Sequence, residues 1–225
     1  EARHQLSLYD RESFGWPPRL RPLAKLRLHW PVPLAWAATT ALIYHLQVDS
    51  PGHFEAFGAL RADALFAAGE WWRPITALLL HADLGHLVSN LGAGVFMFAL
   101  VLGGLGVARG GLALLAAAIA GNVAAAALHP SVGYASIGAS TAVFAALGML
   151  TGAAIREVAR RSGRFSWRAL LLPLLAGGAL LALYGAGGMR TDVVAHATGF
   201  VAGLLLGATV SPGVRRRRIQ GRVAR

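Results

Sequence analysis

Six apolar runs, at 32–48, 84–105, 108–128, 138–155, 169–186 and 193–210, take up about half of this 225-residue chain and limit its fold more than any other feature. Each is near the roughly 20 residues a helix needs to cross a hydrocarbon layer, the first and fourth being the short ones. The segment 49–80, between the first two runs, is amphipathic and holds Trp71, Trp72 and Arg73. It is too polar to span and too apolar to float free, so it is expected to lie in the membrane interface. Charged residues make up 14% of the chain and hydrophobic ones 56%, whereas a soluble domain carries about 25% charge. A chain so poor in charge cannot clothe itself in water-facing side chains, which excludes an ordinary soluble domain and leaves an all-α integral membrane protein. In a soluble chain the net charge of +11 would suggest nucleic acid; here the basic residues sit between apolar runs, and no nucleic-acid partner is expected. Cysteine is absent, which excludes disulfides and thiolate metal sites.

The basic residues set the orientation. Eighteen of the 21 fall in the N-terminal tail, the second-to-third connection, the fourth-to-fifth connection (Arg156, Arg160, Arg161, Arg164 and Arg168) and the C-terminal tail. The alternate connections hold Arg61, Arg73 and Arg190. Excess Lys and Arg mark the cytoplasmic face, so both termini are expected inside, which six spans satisfy. The chain divides into a basic tail (1–31), a six-helix domain (32–210) and a second basic tail (211–225), with both tails suited to contact anionic lipid. The first tail has no long apolar run and does not resemble a cleavable signal peptide.

Polar residues inside spans are costly and mark functional sites by default. His86 and Asn90 lie at the outer end of the second run, with His81 just before it; Ser140 lies near the outer end of the fourth and His196 near that of the sixth. Groups spread over more than 100 residues of sequence thus meet at one depth. His196, Gly199, Gly203 and Gly207 share a helical stripe, and small residues let helix backbones approach closely in membranes. The fourth run is rich in Gly and Ala as well, so close packing of the two would bring Ser140 towards His196. A Ser hydroxyl becomes a useful nucleophile when an adjacent base takes its proton, and His has a suitable pKa. His86 and Asn90, at i,i+4, share a face and could donate hydrogen bonds to an oxyanion.

Each residue also has a structural explanation. A lone Ser at a helix start is most often a cap, and glycine stripes are packing devices first. Asn122 is expected to make an interhelical hydrogen bond. His4, His29, His45, His53 and His129 fall in tails, loops or helix ends and carry no inference. The shared depth of the remaining groups is what favours a site. No metal or cofactor is implied, since the histidines lack carboxylates at ligand spacing.

These residues resemble a known family. His81-Ala-Asp-Leu-Gly-His86-Leu-Val-Ser-Asn90 is similar to the HxxxxHxxxN motif of rhomboid intramembrane serine proteases, Gly138-Ala-Ser140 to their GxS motif, Ala195-His196-Ala-Thr-Gly199-Phe-Val-Ala-Gly203 to their AHxxGxxxG helix, and Trp72-Arg73 to their WR pair. The resemblance covers roughly 32–210. It implies a rhomboid-like bundle, Ser140 as nucleophile and His196 as its base, and His86, Asn90 and the Ser140 backbone N–H as the oxyanion hole. It places Phe144 where an aromatic stacks on the catalytic His. His81, Gly138, Gly199, Gly203, Trp72 and Arg73 would support the site. Thr141 stands where the family commonly has Gly, and its branch is expected to crowd the nucleophile's turn. The implied activity is cleavage of transmembrane substrates near the outer boundary of a bacterial cytoplasmic membrane, from a water-filled site open to the outer face. Two other functions would suit such a chain. A non-catalytic rhomboid-like adaptor is set against by the retained Ser and His, and a small transporter by the lack of an internal repeat.

Overall fold

The computed structural model describes residues 27–129, 133–161, 171, 174–175, 177–180 and 192–210. Most of the N-terminal tail, all of the C-terminal tail and most of the run at 169–186 lie outside the described residues; within that run the described residues are helical.

Among the described residues, five long helices correspond to apolar runs. Helix α1 spans Pro31–Asp49, with proline in its first turn, where a missing N–H costs nothing. The segment after it folds into short pieces: α2 (His53–Gly58), β1 (Leu60–Arg61), α3 (Ala62–Phe66), α4 (Arg73–Thr76) and a 3-10 turn at Ala77–Leu79. Helix α5 spans Leu84–Leu105, and its N-cap Asp83 accepts the His86 N–H at 2.7 Å. Gly106, at φ +89°, is the only residue between α5 and α6 (Val107–Leu128), a turn that suits glycine. After β2 (Ala135–Ser136), helix α7 covers Ser140–Arg161 and α8 covers Val193–Thr209.

At 22 residues, α5 and α6 are each about 33 Å long, enough for a bilayer core of about 30 Å. Among the described residues these two helices are long and apolar enough to cross a membrane, while α8 is apolar but shorter. Their packing is inverted relative to a soluble bundle. Small side chains fill the interior, including Ala117, Ala118, Ala125, Ala145 and Ala146, while Leu112, Val201 and Leu205 are exposed. Hydrocarbon does not drive leucine inward, so the close contacts are left to small residues.

The fourth run differs from its expected bounds. The helix begins two residues late because Gly138, at φ +132°, cannot be helical. It continues to Arg161 rather than ending at 155, so it is as long as α5 and not short. Hydropathy falls at Arg156, but Arg is a good helix former and does not end the helix. The stretch before α7 is tied down by strand pairing: Leu60 lies opposite Ser136 and Arg61 opposite Ala135, antiparallel. This sheet joins the segment after α1 to the approach to Ser140.

The segment 49–80 has its own small core, with Leu60, Leu65, Ala62 and Ala77 packed on Ala126 of α6. Phe57, Phe66, Trp71 and Trp72 remain exposed.

Candidate active site

The α7–α8 seam sets the helix that begins at Ser140 against the helix that carries His196. A Cβ on Gly199 would lie 2.5 Å from the Thr141 carbonyl oxygen, one on Gly203 2.0 Å from that of Ala145, and one on Gly207 2.1 Å from that of Met149. From the other side, Gly148 meets the Phe200 carbonyl at 2.0 Å and Gly152 that of Leu204 at 2.1 Å. Only glycine allows backbones this close. The contacts advance four residues at a time along both helices, which therefore run parallel with their starts side by side. His196 is buried, and its ring lies 4.4 Å from that of Phe144, tilted by 32°. Phe144 is one turn after Ser140. Helical side chains lean towards the helix N-terminus, which aims the His196 imidazole at the Ser140 end of α7.

Gly138 connects Ser140 to His86. A Cβ there would lie 2.8 Å from His86 Nε2 and 3.7 Å from Ser140 Oγ, so both polar atoms border one small space. Asn90, one turn along α5 from His86, is buried, and its amide nitrogen has no hydrogen-bond partner among the described residues. A buried donor without an acceptor costs roughly 1–3 kcal/mol, and such a cost is common at sites built for a ligand's charge.

His81 is fully buried and sits between the segment 49–80 and the approach to Ser140. Gln47 of α1 holds its backbone: the Gln47 Nε2 donates to the His81 carbonyl at 2.8 Å and the His81 N–H donates to Gln47 Oε1 at 3.1 Å. The His81 ring lies 5.2 Å from that of His86, and its Nε2 faces the Ala139 N–H at 3.5 Å. Burial pushes the imidazole down to about 4, helped by the neighbouring His86, so it is neutral at ordinary pH.

Trp72 and Arg73 act within the segment 49–80. The buried Arg73 guanidinium pairs with Glu70 and donates to the carbonyls of Ala59 at 2.7 Å and Ala56 at 3.0 Å. The Trp72 indole stacks on Phe57 and donates to its carbonyl at 3.1 Å. Together they brace α2 against α4 and set the height of β1.

Thr141 packs towards the neighbouring helices. It is buried, with its methyl 3.0 Å from Cβ positions on both Gly121 and Gly199, so its bulk fills the junction of α6, α7 and α8. Asn122 makes its hydrogen bond to the Pro74 carbonyl of α4 at 2.8 Å.

Sequence reasoning missed Gln47, Tyr134 and Asp192. Gln47 is a strongly polar residue in an apolar run, which is itself a signal. Asp192 precedes an apolar run in the place of a helix cap, also a readable signal. Tyr134 sits in a loop without a pattern.

Among the described residues, no group of three His, Cys, Asp or Glu could hold a metal ion. Comparison with known proteins gives the setting. The family model described as "Rhomboid domain" matches residues 68–213, more than half of the chain. The chain belongs to the rhomboid family. It is 41% identical over 95 residues to the rhomboid protease GluP of Bacillus subtilis (strain 168), a match covering 42% of this chain and 18% of GluP. It is 42% identical over 84 residues to YdcA of the same strain, provisionally named a rhomboid protease, covering 37% of this chain and 41% of YdcA. The chain thus matches less than half the length of either relative. The rhomboid match takes in the WR pair, His81 to Asn90, Ser140 and His196, and leaves out α1.

Proposed function

We propose that this rhomboid-family chain is an intramembrane serine endopeptidase in which Ser140 attacks a peptide carbonyl and His196 takes and returns the proton. The observation that carries this reading is the glycine seam: it fixes the helix of Ser140 to the helix of His196 in one register, with the imidazole packed on Phe144 one turn from Ser140. His86 and the buried Asn90 amide would donate to the oxyanion, with the Ser140 N–H as a third donor. The acyl-enzyme would be hydrolysed by water reaching the outer half of the bundle. His81, Gly138, Trp72 and Arg73 support the site from behind. The chemistry needs no cofactor.

This reading includes six spans with both termini in the cytoplasm of a bacterial cell, a site opening to the outer face, and basic tails on anionic lipid. The substrates are transmembrane proteins. A spanning helix ties up its carbonyls in i→i−4 hydrogen bonds, so it must unwind before it can be cut. Cleavage is therefore expected near the outer boundary of the substrate span, after a small residue, with Gly or Pro close by to lower the cost of unwinding.

A fluorophosphonate probe tests the reading directly. The wild-type protein should be labelled, and Ser140→Ala and His196→Ala should lose labelling and cleavage. The double variant should be no slower than either single one, because residues that act as a unit lose activity non-additively. A folded wild-type protein that binds transmembrane peptides but takes no label is the adaptor alternative and would overturn the protease. Mass spectrometry of product ends locates the cut; a cut in the cytoplasmic half of the substrate contradicts the proposed depth.

A further inference from the structure

We propose that Tyr134 and Asp192 are positioning residues that tie the first turn of α8, and with it His196, to the loop leading into Ser140. The inference rests on the assignment of Ser140 and His196 as the reacting pair. Asp192 is the N-cap of α8: its Oδ1 accepts the Ala195 N–H at 2.9 Å and its backbone carbonyl accepts the His196 N–H at 3.1 Å. Its Oδ2 accepts the Tyr134 hydroxyl at 2.6 Å. One residue therefore holds the amide of His196 and, through a single side chain, reaches the segment before Ser140.

Tyr134 is itself firmly held. It directly precedes β2, which is paired to β1, and its ring stacks flat on His129 at the end of α6, with centroids 4.7 Å apart and planes 3° from parallel. The glycine contacts that lock α8 to α7 begin at Gly199, past His196. The turn that carries His196 lies beyond their control and would fray like any helix end without its cap.

The protonation states suit the bond. Burial works to raise the Asp192 carboxyl, but hydrogen bonds from Tyr134 and Ala195 outweigh it and hold the group below its usual range. Burial, with the bond to Asp192 and its charge, pushes the Tyr134 phenol up. At neutral pH a protonated phenol meets a carboxylate, and charge-assisted bonds of this kind are roughly twice as strong as neutral ones.

A misplacement of 1 Å can cost about 10²-fold in rate. Tyr134→Phe, which removes one oxygen atom, should lower kcat about tenfold and leave KM unchanged, because the substrate is not touched. The rate of probe acylation should fall in parallel, since the probe bypasses substrate recognition. Asp192→Ala should be slower still, and Asp192→Asn, whose one oxygen can cap the helix but whose NH2 cannot accept the phenol bond, should regain only the cap and stay about as slow as Tyr134→Phe. The Tyr134→Phe/Asp192→Ala double variant should match Asp192→Ala alone, since the two share one interaction. A merely structural role would lower Tm and leave kcat per folded molecule as in wild type, and that result overturns the inference. If wild type takes no probe, the Ser140 assignment has failed; hydrogen exchange then decides the tether. Faster exchange at Ala195 and His196 in Tyr134→Phe supports it, and unchanged exchange overturns it.

Discussion

Gly203 lies so close to Ala145 that a Cβ on it would sit 2.0 Å from the Ala145 carbonyl oxygen. The obstacle is backbone, so no rotamer relieves it. Gly203→Val should push α7 and α8 apart, lower Tm by several degrees and abolish cleavage, as overpacking costs about 1–3 kcal/mol or more. Gly92→Ala is the control, because nothing lies within 4 Å of its Cβ position. Thermal unfolding in detergent should show it unchanged or stabilised by up to about 1 kcal/mol. Equal Tm for Gly203→Val and wild type would show that the seam does not hold the helices.

The buried Asn90 amide nitrogen has no acceptor among the described residues, which suits a group that waits for negative charge. Asn90→Ala should lower kcat by about 10²-fold with little change in KM, the loss typical of one missing oxyanion donor. Steady-state kinetics on a transmembrane peptide checks this. Full activity in the variant would reassign Asn90 to packing.

His81 predicts a pH dependence of stability. Its folded pKa of about 4 lies below the ordinary 6.5, so between those values the unfolded chain binds a proton that the folded one refuses. Stability contributed by neutral His81 is therefore complete above about pH 6.5 and is lost as pH falls towards about 4. Tm measured across that window should drop more steeply for wild type than for His81→Asn. Parallel curves would mean that His81 is protonated in place or reached by water.

Topology is testable without activity. Reporter fusions after Ser211 and within 162–166 should both read as cytoplasmic, since the Lys and Arg residues cluster in those segments. An external reading at either position removes the six-span arrangement.

Much of this was legible in the sequence, for identifiable reasons. The bounds of α5 follow from hydropathy, because Asp83 and Gly106 stop the helix where the apolar run stops. The stripe of Gly199, Gly203 and Gly207 follows from helical periodicity, and it proves to be the seam. The end of α7 was not legible, since hydropathy reports the edge of the apolar layer and not the edge of a helix. The pairing of Leu60–Arg61 with Ala135–Ser136 was hidden as well, because two residues are too few to alternate. The tether from Tyr134 to Asp192 joins residues 58 apart in sequence, and only folding shows that they meet.

The seam has one more consequence in the protease proposed here. Helices joined through bare backbone at three successive turns tilt and slide as a single body, and no side chain or lipid tail can work its way between them. A substrate span must then reach Ser140 by a route that leaves this joint shut. Whatever wall of the bundle yields to admit it is a different one. Opening and closing for entry can therefore proceed without disturbing the reacting pair, and substitutions that loosen the entrance should change how often a substrate arrives while leaving untouched what happens to it once inside.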